Sequence, residues 1–239
     1  MVSGMASHVT GTRDDWLKAR IALLEEEKEL TRRSDELARR RQDLPWVAVE
    51  KEYVFGTPDG PRTLPELFDG RPQLLVYHFM LGPNTPAGCV GCTYAADNFA
   101  GAVFHLAQHG VTFLCASRAE VSEIEAYRAR MGWTFPWVSS AGTDFNVDFS
   151  LFTEEQRRTG LGFNFGTRRG AGVDVINGME LMALSSFALE DGVVYHTYSA
   201  FDRGTDVINP TWQLLDRAPL GRGYGAEGFP VRRDVVEAS

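Results

Sequence analysis

Only 3 of the 239 residues are cysteine. That small, odd number cannot build a disulfide scaffold and leaves the thiols to do chemistry or to fill space. Basic charge is also short: 24 Lys and Arg stand against 32 Asp and Glu, a net charge of -8. The chain therefore has no general attraction to phosphate backbones or anionic lipid, and nucleic acid is not an expected partner. Long apolar runs are missing as well. Leu74 to Tyr77 and Phe79 to Leu81, on either side of His78, fall far short of the roughly 20 residues that span a bilayer. Met1 to Thr12 is small and polar and lacks the apolar core of roughly 7–15 residues found in a secretory signal, so a cytoplasmic protein is expected. What remains, 44% apolar and 11% aromatic residues, is enough for the core of one elaborated domain.

Residues 1–12 read as a disordered leader. From Arg13 to about residue 44 the sequence is rich in Leu, Glu, Arg and Ala, with Glu25 to Glu27 early and Arg39 to Arg41 late. This polarity suits the dipole of one long helix that ends before Pro45. Trp16, Leu23, Leu30, Leu37 and Leu44 recur every seven residues, but no second apolar position per heptad is sustained. A helix laid on its own domain or on a second copy, as a homodimer, fits better than a free coiled coil. After Pro45 come two short β-like runs, Trp46 to Val49 and Lys51 to Phe55, then the turn-forming Thr57-Pro58-Asp59-Gly60 and a short helix at Thr63 to Phe68, together a small hairpin prelude. Leu74 to Met80 and Val111 to Ser117 are continuous and apolar, as strands buried on both faces should be. Helical segments at Cys92–His109 and Glu120–Met131 alternate with them, and Trp133 to Ser139 returns to extended structure. This β-α-β-α series predicts parallel strands joined by right-handed crossovers. Residues 141–180 form an irregular insertion with one short helix near Glu154. Leu181–Leu189 and Val193–Tyr198, joined at Glu190-Asp191-Gly192, form an antiparallel hairpin. A last helix covers about Ile208–Asp216, and 223–239 is a tail.

The informative constellation is Gly88-Cys89-Val90-Gly91-Cys92, placed after a buried strand and where a helix begins. A thiol there meets unpaired amides that favour the thiolate, and a second thiol one turn on can attack a mixed disulfide. A CxxC inside a βαβ pattern is a redox signal; a zinc site would need two further ligands, and no second CxxC or compact Cys/His pair supplies them. No metal and no organic cofactor is expected. Cys115, in an apolar strand, reads as a buried hydrophobe, and Trp133, Phe135 and Trp137 as core. His78 and His196 lie in strand-like runs that could approach the thiols; His105 and His109 read as surface or packing residues. Asp144, Asn146 and Asp148 alternate with Phe145, Val147 and Phe149 and could line a polar site or cap a turn. The glycines from Gly160 to Gly172 do not follow a strand in phosphate-loop spacing, which excludes nucleotide binding there.

Several longer strings add to this pattern: Glu29-Leu30-Thr31-Arg32, Leu44-Pro45-Trp46-Val47, Leu75 to Met80, Ala96-Asp97-Asn98-Phe99, Met131 to Ser140, Asp144-Phe145-Asn146 and His196-Thr197-Tyr198. With the Cys89–Cys92 pair, and over Trp16 to Arg222, the chain resembles the thioredoxin-like bacterial DUF899 family, often labelled dithiol–disulfide oxidoreductases. The resemblance implies an α/β thioredoxin-like fold over residues 45–222, with an N-terminal helical extension and an insertion before the C-terminal β-hairpin. It makes Cys89 the nucleophile and Cys92 the resolving thiol, with His78, Val90, Gly91 and Met182 as candidate lining residues. The implied partners are a disulfide-containing protein or small thiol and an external reductant such as a thioredoxin or glutathione system. Thioredoxin-fold oxidoreductases usually place a cis-proline before the third core strand, but here the stretch reads Glu180-Leu181-Met182-Ala183-Leu184. A trans peptide is expected, because a non-proline cis bond costs about 2.5–4 kcal/mol. Two other readings remain open: a peroxiredoxin-like thiol peroxidase, although Thr85 lies four rather than three residues before Cys89, and a non-catalytic binding or dimerisation module.

Overall fold

The computed structural model describes residues 8–83, 85–150, 152, 154–159, 164–167 and 181–222. Positions 1–7 of the expected leader, 160–163 and 168–180 of the expected insertion, and the expected tail at 223–239 lie outside the described residues. The chain divides into two units, Met1–Pro45 and Trp46–Ser239. The first contains helix α1, Arg13–Gln42. Thr12 opens it with a reciprocal cap. Its hydroxyl accepts from the Asp15 amide at 3.2 Å, and the Asp15 carboxylate accepts from the Thr12 amide at 3.1 Å. Two donors that a helix start leaves unpaired are thereby satisfied. None of the side chains of α1 is buried.

The second unit runs in order through β1 (Val47–Ala48), β2 (Val54–Phe55), β3 (Arg62–Thr63), a 3-10 turn (Pro65–Phe68), β4 (Gln73–His78), α2 (Val90–Ala96), α3 (Ala100–Gln108), β5 (Val111–Ser117), α4 (Val121–Met131) and β6 (Trp137–Ser139). There follow α5 (Phe145–Asp148), α6 (Glu154–Thr159), β7 (Ala183–Glu190), β8 (Val193–Phe201), a 3-10 segment (Asp202–Ile208) and α7 (Pro210–Leu215). Six strands form one sheet in the order β1-β8-β7-β4-β5-β6. β4, β5 and β6 run parallel, β7 is antiparallel to both β4 and β8, and β1 is antiparallel to β8. A parallel βαβ half joined edge to edge with an antiparallel hairpin and a following helix is the thioredoxin-like arrangement. The hairpin closes through Asp191 at φ 51° and Gly192 at φ 81°, the two left-handed residues of the turn whose twist matches paired strands.

Three local readings are corrected. β1 does not belong to the small hairpin, which β2 and β3 make alone; it pairs with β8 at the sheet edge, with Val47 opposite His196. The single helix expected over Cys92–His109 is broken at 97–99. There the Asn98 side chain donates to the Tyr94 carbonyl at 3.0 Å, a local bond that competes with helix continuation. The break turns Phe99 into the core. Residues 144–149, whose alternation resembled a polar lining, contain helix α5. Its spacing of four sends Phe145 and Phe149 into the core and lets Lys51 hold Asp144 and Asp148 at 2.7 and 2.8 Å.

The sheet separates two cores. On one face Tyr77, Phe113, Cys115 and Leu184 pack with Cys92, Phe99, Ile124, Tyr127 and the aromatic run Trp133, Phe135 and Trp137. On the other, Leu74, Val76, Leu114, Ala116 and Phe187 pack with Phe55, Phe68, Phe145 and Phe149. Tyr77 and His78 are successive residues of β4, so they face opposite sides. No helix among the described residues is long and apolar enough to cross a membrane.

Gly88, at the end of the loop from β4 to α2, has a φ of 72°, and a Cβ there would lie 2.7 Å from the Tyr127 ring. Gly88→Ala is expected to cost about 2–4 kcal/mol, from the left-handed backbone and the overlap together. Gly192→Ala, with a similar φ and open space around it, should cost only about 1 kcal/mol. Urea unfolding of the two variants checks the difference; equal losses would show that the Tyr127 contact does not constrain the loop.

Candidate dithiol site

Strand β4 ends at His78, and the chain is then pinned beside the end of β5. The Phe79 amide donates to the Ala116 carbonyl at 2.9 Å, and the Ser117 hydroxyl donates to the Phe79 carbonyl at 2.7 Å. The loop returns at Cys89, whose amide donates to the Met80 carbonyl at 3.0 Å. Cys89 itself is extended, with φ -73° and ψ 129°, and stands as the N-cap of α2. Its sulfur takes the place of the usual capping oxygen and accepts from the Cys92 amide at 3.4 Å. Thr93 secures the turn: its hydroxyl donates to the Cys89 carbonyl at 2.9 Å and is bonded to the Tyr127 hydroxyl at 2.8 Å. That bond explains why Tyr127 stands against Gly88.

The two thiols are free and unequal. Cys89 is partly exposed, whereas Cys92 has no accessible surface. The Cys89 pKa is lowered to about 6, first by a hydrogen bond from the Cys92 thiol and then, against its own partial burial, by the amides of Cys92 and Gly91. The Cys92 thiol is pushed far the other way by burial and by the negative charge it would share with Cys89. Cys89 is thus the group that ionises near neutral pH, and Cys92 holds its proton and donates it to that thiolate.

Tyr77, which the sequence did not single out, is fully buried beneath α2 with its charge neighbours ranked Cys92, Cys115 and Cys89. Its hydroxyl has no well-aligned hydrogen-bond partner. The signal that could have found it is strand parity, since only one of the neighbours Tyr77 and His78 can face the helix that carries the thiols. The structure brings Val90 and Gly91 to the site by position, between the two cysteines. Met182 packs on the same core as Cys89 and lines, with Tyr77 and Gly91, a cavity of about 720 Å³. None of the described peptide bonds is cis.

His78 is not brought to the thiols. It lies on the opposite face of the sheet, stacked on Phe145 at 5.4 Å and bonded through Nε2 to the Ser185 hydroxyl at 3.0 Å. Burial lowers its pKa to about 3, so it stays neutral. His196 shares that face, half-buried and bonded to Ser199 at 2.8 Å. His105 and His109 are exposed. Cys115 is fully buried in β5, which raises its pKa, and it is a packing residue. Among the described residues no group of three or more His, Cys, Asp or Glu side chains could hold a metal ion.

The inequality of the thiols has a direct readout. Alkylation of reduced protein by iodoacetamide should follow the Cys89 thiolate, slow below and fast above a midpoint near pH 6, since only the deprotonated form attacks. Cys92→Ala removes the largest of the stabilising donors and should move that midpoint upward by about one pH unit or more. An unchanged midpoint would show that the backbone amides alone set the acidity of Cys89.

Comparison with known proteins places the molecule. A solved peroxidoxin BcpB from Mycobacterium tuberculosis is 17% identical, with a TM-score of 0.39, covering 72% of this chain and 97% of that one. A putative protein disulfide isomerase from Bacteroides thetaiotaomicron is 12% identical, with a TM-score of 0.40, over 72% and 92% of the two chains. The mitochondrial 2-cys peroxiredoxin from Plasmodium falciparum is 12% identical, with a TM-score of 0.41, over 71% and 92%. Comparison with curated proteins gives no match. Residues 5–234 match the family described as a bacterial protein of unknown function, DUF899. With nearly its whole length in that match and a thioredoxin-like sheet, the chain belongs to the DUF899 family.

Proposed function

We propose that the protein is a thiol–disulfide oxidoreductase that cycles between a Cys89–Cys92 dithiol and the corresponding disulfide. The observation that carries this reading is the asymmetry of the pair: a partly exposed thiol with its pKa near 6, whose sulfur accepts from the amide of a fully buried cysteine one helical turn away. In the forward direction the Cys89 thiolate attacks one sulfur of a substrate disulfide. A mixed disulfide forms and one substrate thiolate leaves. Cys92 then loses its proton and attacks Cys89 in turn, closing the internal disulfide and releasing the second substrate thiolate. Two electrons pass from the protein to the substrate, and an external dithiol or glutathione system must return them.

The same environment assists the second step. Before reaction, burial, then the hydrogen bond to the Cys89 sulfur and then the charge on it raise the Cys92 pKa. Formation of the mixed disulfide removes that charge, so the resolving thiol becomes easier to ionise at the point where its thiolate is needed. No bound organic cofactor enters this scheme.

Redox titration with mass spectrometry tests the proposal. The wild-type protein should lose two hydrogens cooperatively within the range spanned by thioredoxin and glutathione potentials. Cys92→Ser should instead accumulate a mixed disulfide at Cys89. Thiols that remain unlinked across that range would overturn the reading, and rapid peroxide consumption abolished by Cys89→Ser would replace it with a thiol peroxidase.

A further inference from the structure

The cavity beside the dithiol carries information about the substrate. Its volume of about 720 Å³ lies within the range of small-molecule sites and is far too small for a folded protein surface. Gly91 connects it to the chemistry: this residue lines the cavity and lies in the turn between the two cysteines. The uncharged part of the lining is mostly apolar, with Tyr77, Ala95, Met182, Ile208 and Trp212 beside the polar Thr205 and Asn209. Tyr94 packs behind Trp212 with ring centroids 4.6 Å apart, which holds the indole in place.

The rim carries charges of both signs. Asp202, Asp206 and Asp216 share it with Arg203 and Arg222, and both guanidiniums are already held by carboxylates. Arg222 is paired with Asp216 at 2.7 Å and with Asp206 at 3.0 Å, and lies over the Trp212 ring at 5.1 Å. Arg203 is paired with Asp206 at 3.2 Å. With both guanidiniums engaged, an incoming carboxylate would have to displace an existing ion pair, and a mostly apolar lining compensates poorly for the water such a group gives up.

We propose that this cavity selects the substrate of the dithiol as a neutral, low-molecular-weight disulfide with an aromatic or aliphatic substituent, in preference to anionic disulfides such as oxidised glutathione. The assignment rests on the dithiol reading above. The apolar substituent occupies the space between Ile208, Met182 and Trp212 while its disulfide bond lies toward Gly91. The Cys89 thiolate attacks the nearer sulfur and expels the far half as a thiolate. Cys92, giving up its proton, attacks Cys89 and releases the near half. The substrate is reduced to two thiols and the protein is oxidised to the Cys89–Cys92 disulfide.

A matched pair of probes tests this on the full reduced chain: dithiodibenzamide, which is neutral, and dithiodibenzoate, which has the same skeleton and two negative charges, with oxidised glutathione as a third. Each rate of protein oxidation is normalised to the rate of the same probe with dithiothreitol, which removes intrinsic electrophilicity. The expected result is a kcat/KM for the amide roughly tenfold or more above that for the carboxylate. Ile208→Trp, which fills the cavity, should raise KM for the amide and erase the preference while leaving the alkylation rate of Cys89 unchanged. The exposed change Asp216→Asn, which frees one side of the Arg222 guanidinium, should raise the rate with dithiodibenzoate several-fold. A normalised ratio near one, a preference for oxidised glutathione, or a preference that survives Ile208→Trp would overturn the assignment. If wild-type protein forms its disulfide with all three probes in their dithiothreitol order, the substrate assignment alone falls. If no Cys89–Cys92 disulfide forms with any of them, the dithiol reading falls and takes this one with it.

Discussion

The turn in which the Cys89 sulfur caps α2 and accepts from the Cys92 amide is the interaction on which the rest of the site depends. Two thiols one turn apart at a helix start compete for a single negative charge, and the fold decides the competition by geometry. Cys89 sits in the capping position with two backbone amides and the second thiol directed at it, and part of its surface reaches solvent. Cys92 is sealed against Tyr77 and the sheet. Burial alone would raise both pKa values; the donors reverse the sign for one and not for the other. The arrangement holds because the loop before it is constrained at Met80, at the left-handed Gly88 and through the Thr93–Tyr127 pair. Helix α4 thus contributes to the acidity of Cys89 by fixing where Tyr127 stands.

The sheet also separates two kinds of polar chemistry. Behind the face that carries the thiols, His78, Ser185, Ser199 and His196 form a chain across β4, β7 and β8, with links of 3.0, 2.9 and 2.8 Å. Three hydrogen bonds share only two hydroxyl protons, so one imidazole must act as a donor. Burial lowers the His196 pKa and keeps its ring neutral, and a hydrogen bond to the Tyr198 backbone opposes this only in part. The assignment that satisfies most groups therefore has His196 accepting from Ser199, Ser199 from Ser185, and Ser185 from Nε2–H of His78. The unpaired atom left over is His78 Nδ1, which is then a bare lone pair rather than a buried N–H, the less costly of the two vacancies. This network ties three strands in register. It lies on the wrong side of the sheet to exchange protons with either cysteine.

The parts of the molecule legible in the sequence are those where one local signal dominates. The apolar runs of β4 and β5, the Asp191-Gly192 turn and the acidic-to-basic gradient of α1 each fall where pattern and turn chemistry agree. The CxxC was placed correctly for the same reason, since a buried strand, a glycine and a helix start follow one another within a few residues. What was not legible depends on contacts remote in sequence. The break after α2 comes from an Asn98 side chain bonding back to Tyr94, with Asp97 accepting from Trp133 at 2.9 Å. The helix α5 owes its burial to Phe55, Phe149 and Phe187 around Phe145, and its period of four is hidden by an alternation of two. The pairing of β1 with β8 joins residues about 150 positions apart, beyond the reach of any local pattern. His78 was misplaced because a strand residue's side depends on a parity that composition does not reveal.

The missing proline can be understood in the same physical terms. In the thioredoxin-like arrangement the segment entering the third core strand lies opposite the dithiol, and a cis-proline there exposes backbone groups that an extended substrate can pair with. Here Met182 enters β7 through ordinary trans geometry and presents a thioether to the cavity wall. A flexible, polarisable side chain at that position replaces a hydrogen-bonding edge with an adaptable apolar surface. Backbone pairing gives grip on polypeptide and little discrimination among small molecules, whereas an apolar wall does the reverse. Met182 and the mostly apolar lining beside Gly91 therefore suit the substituent selection proposed for the cavity.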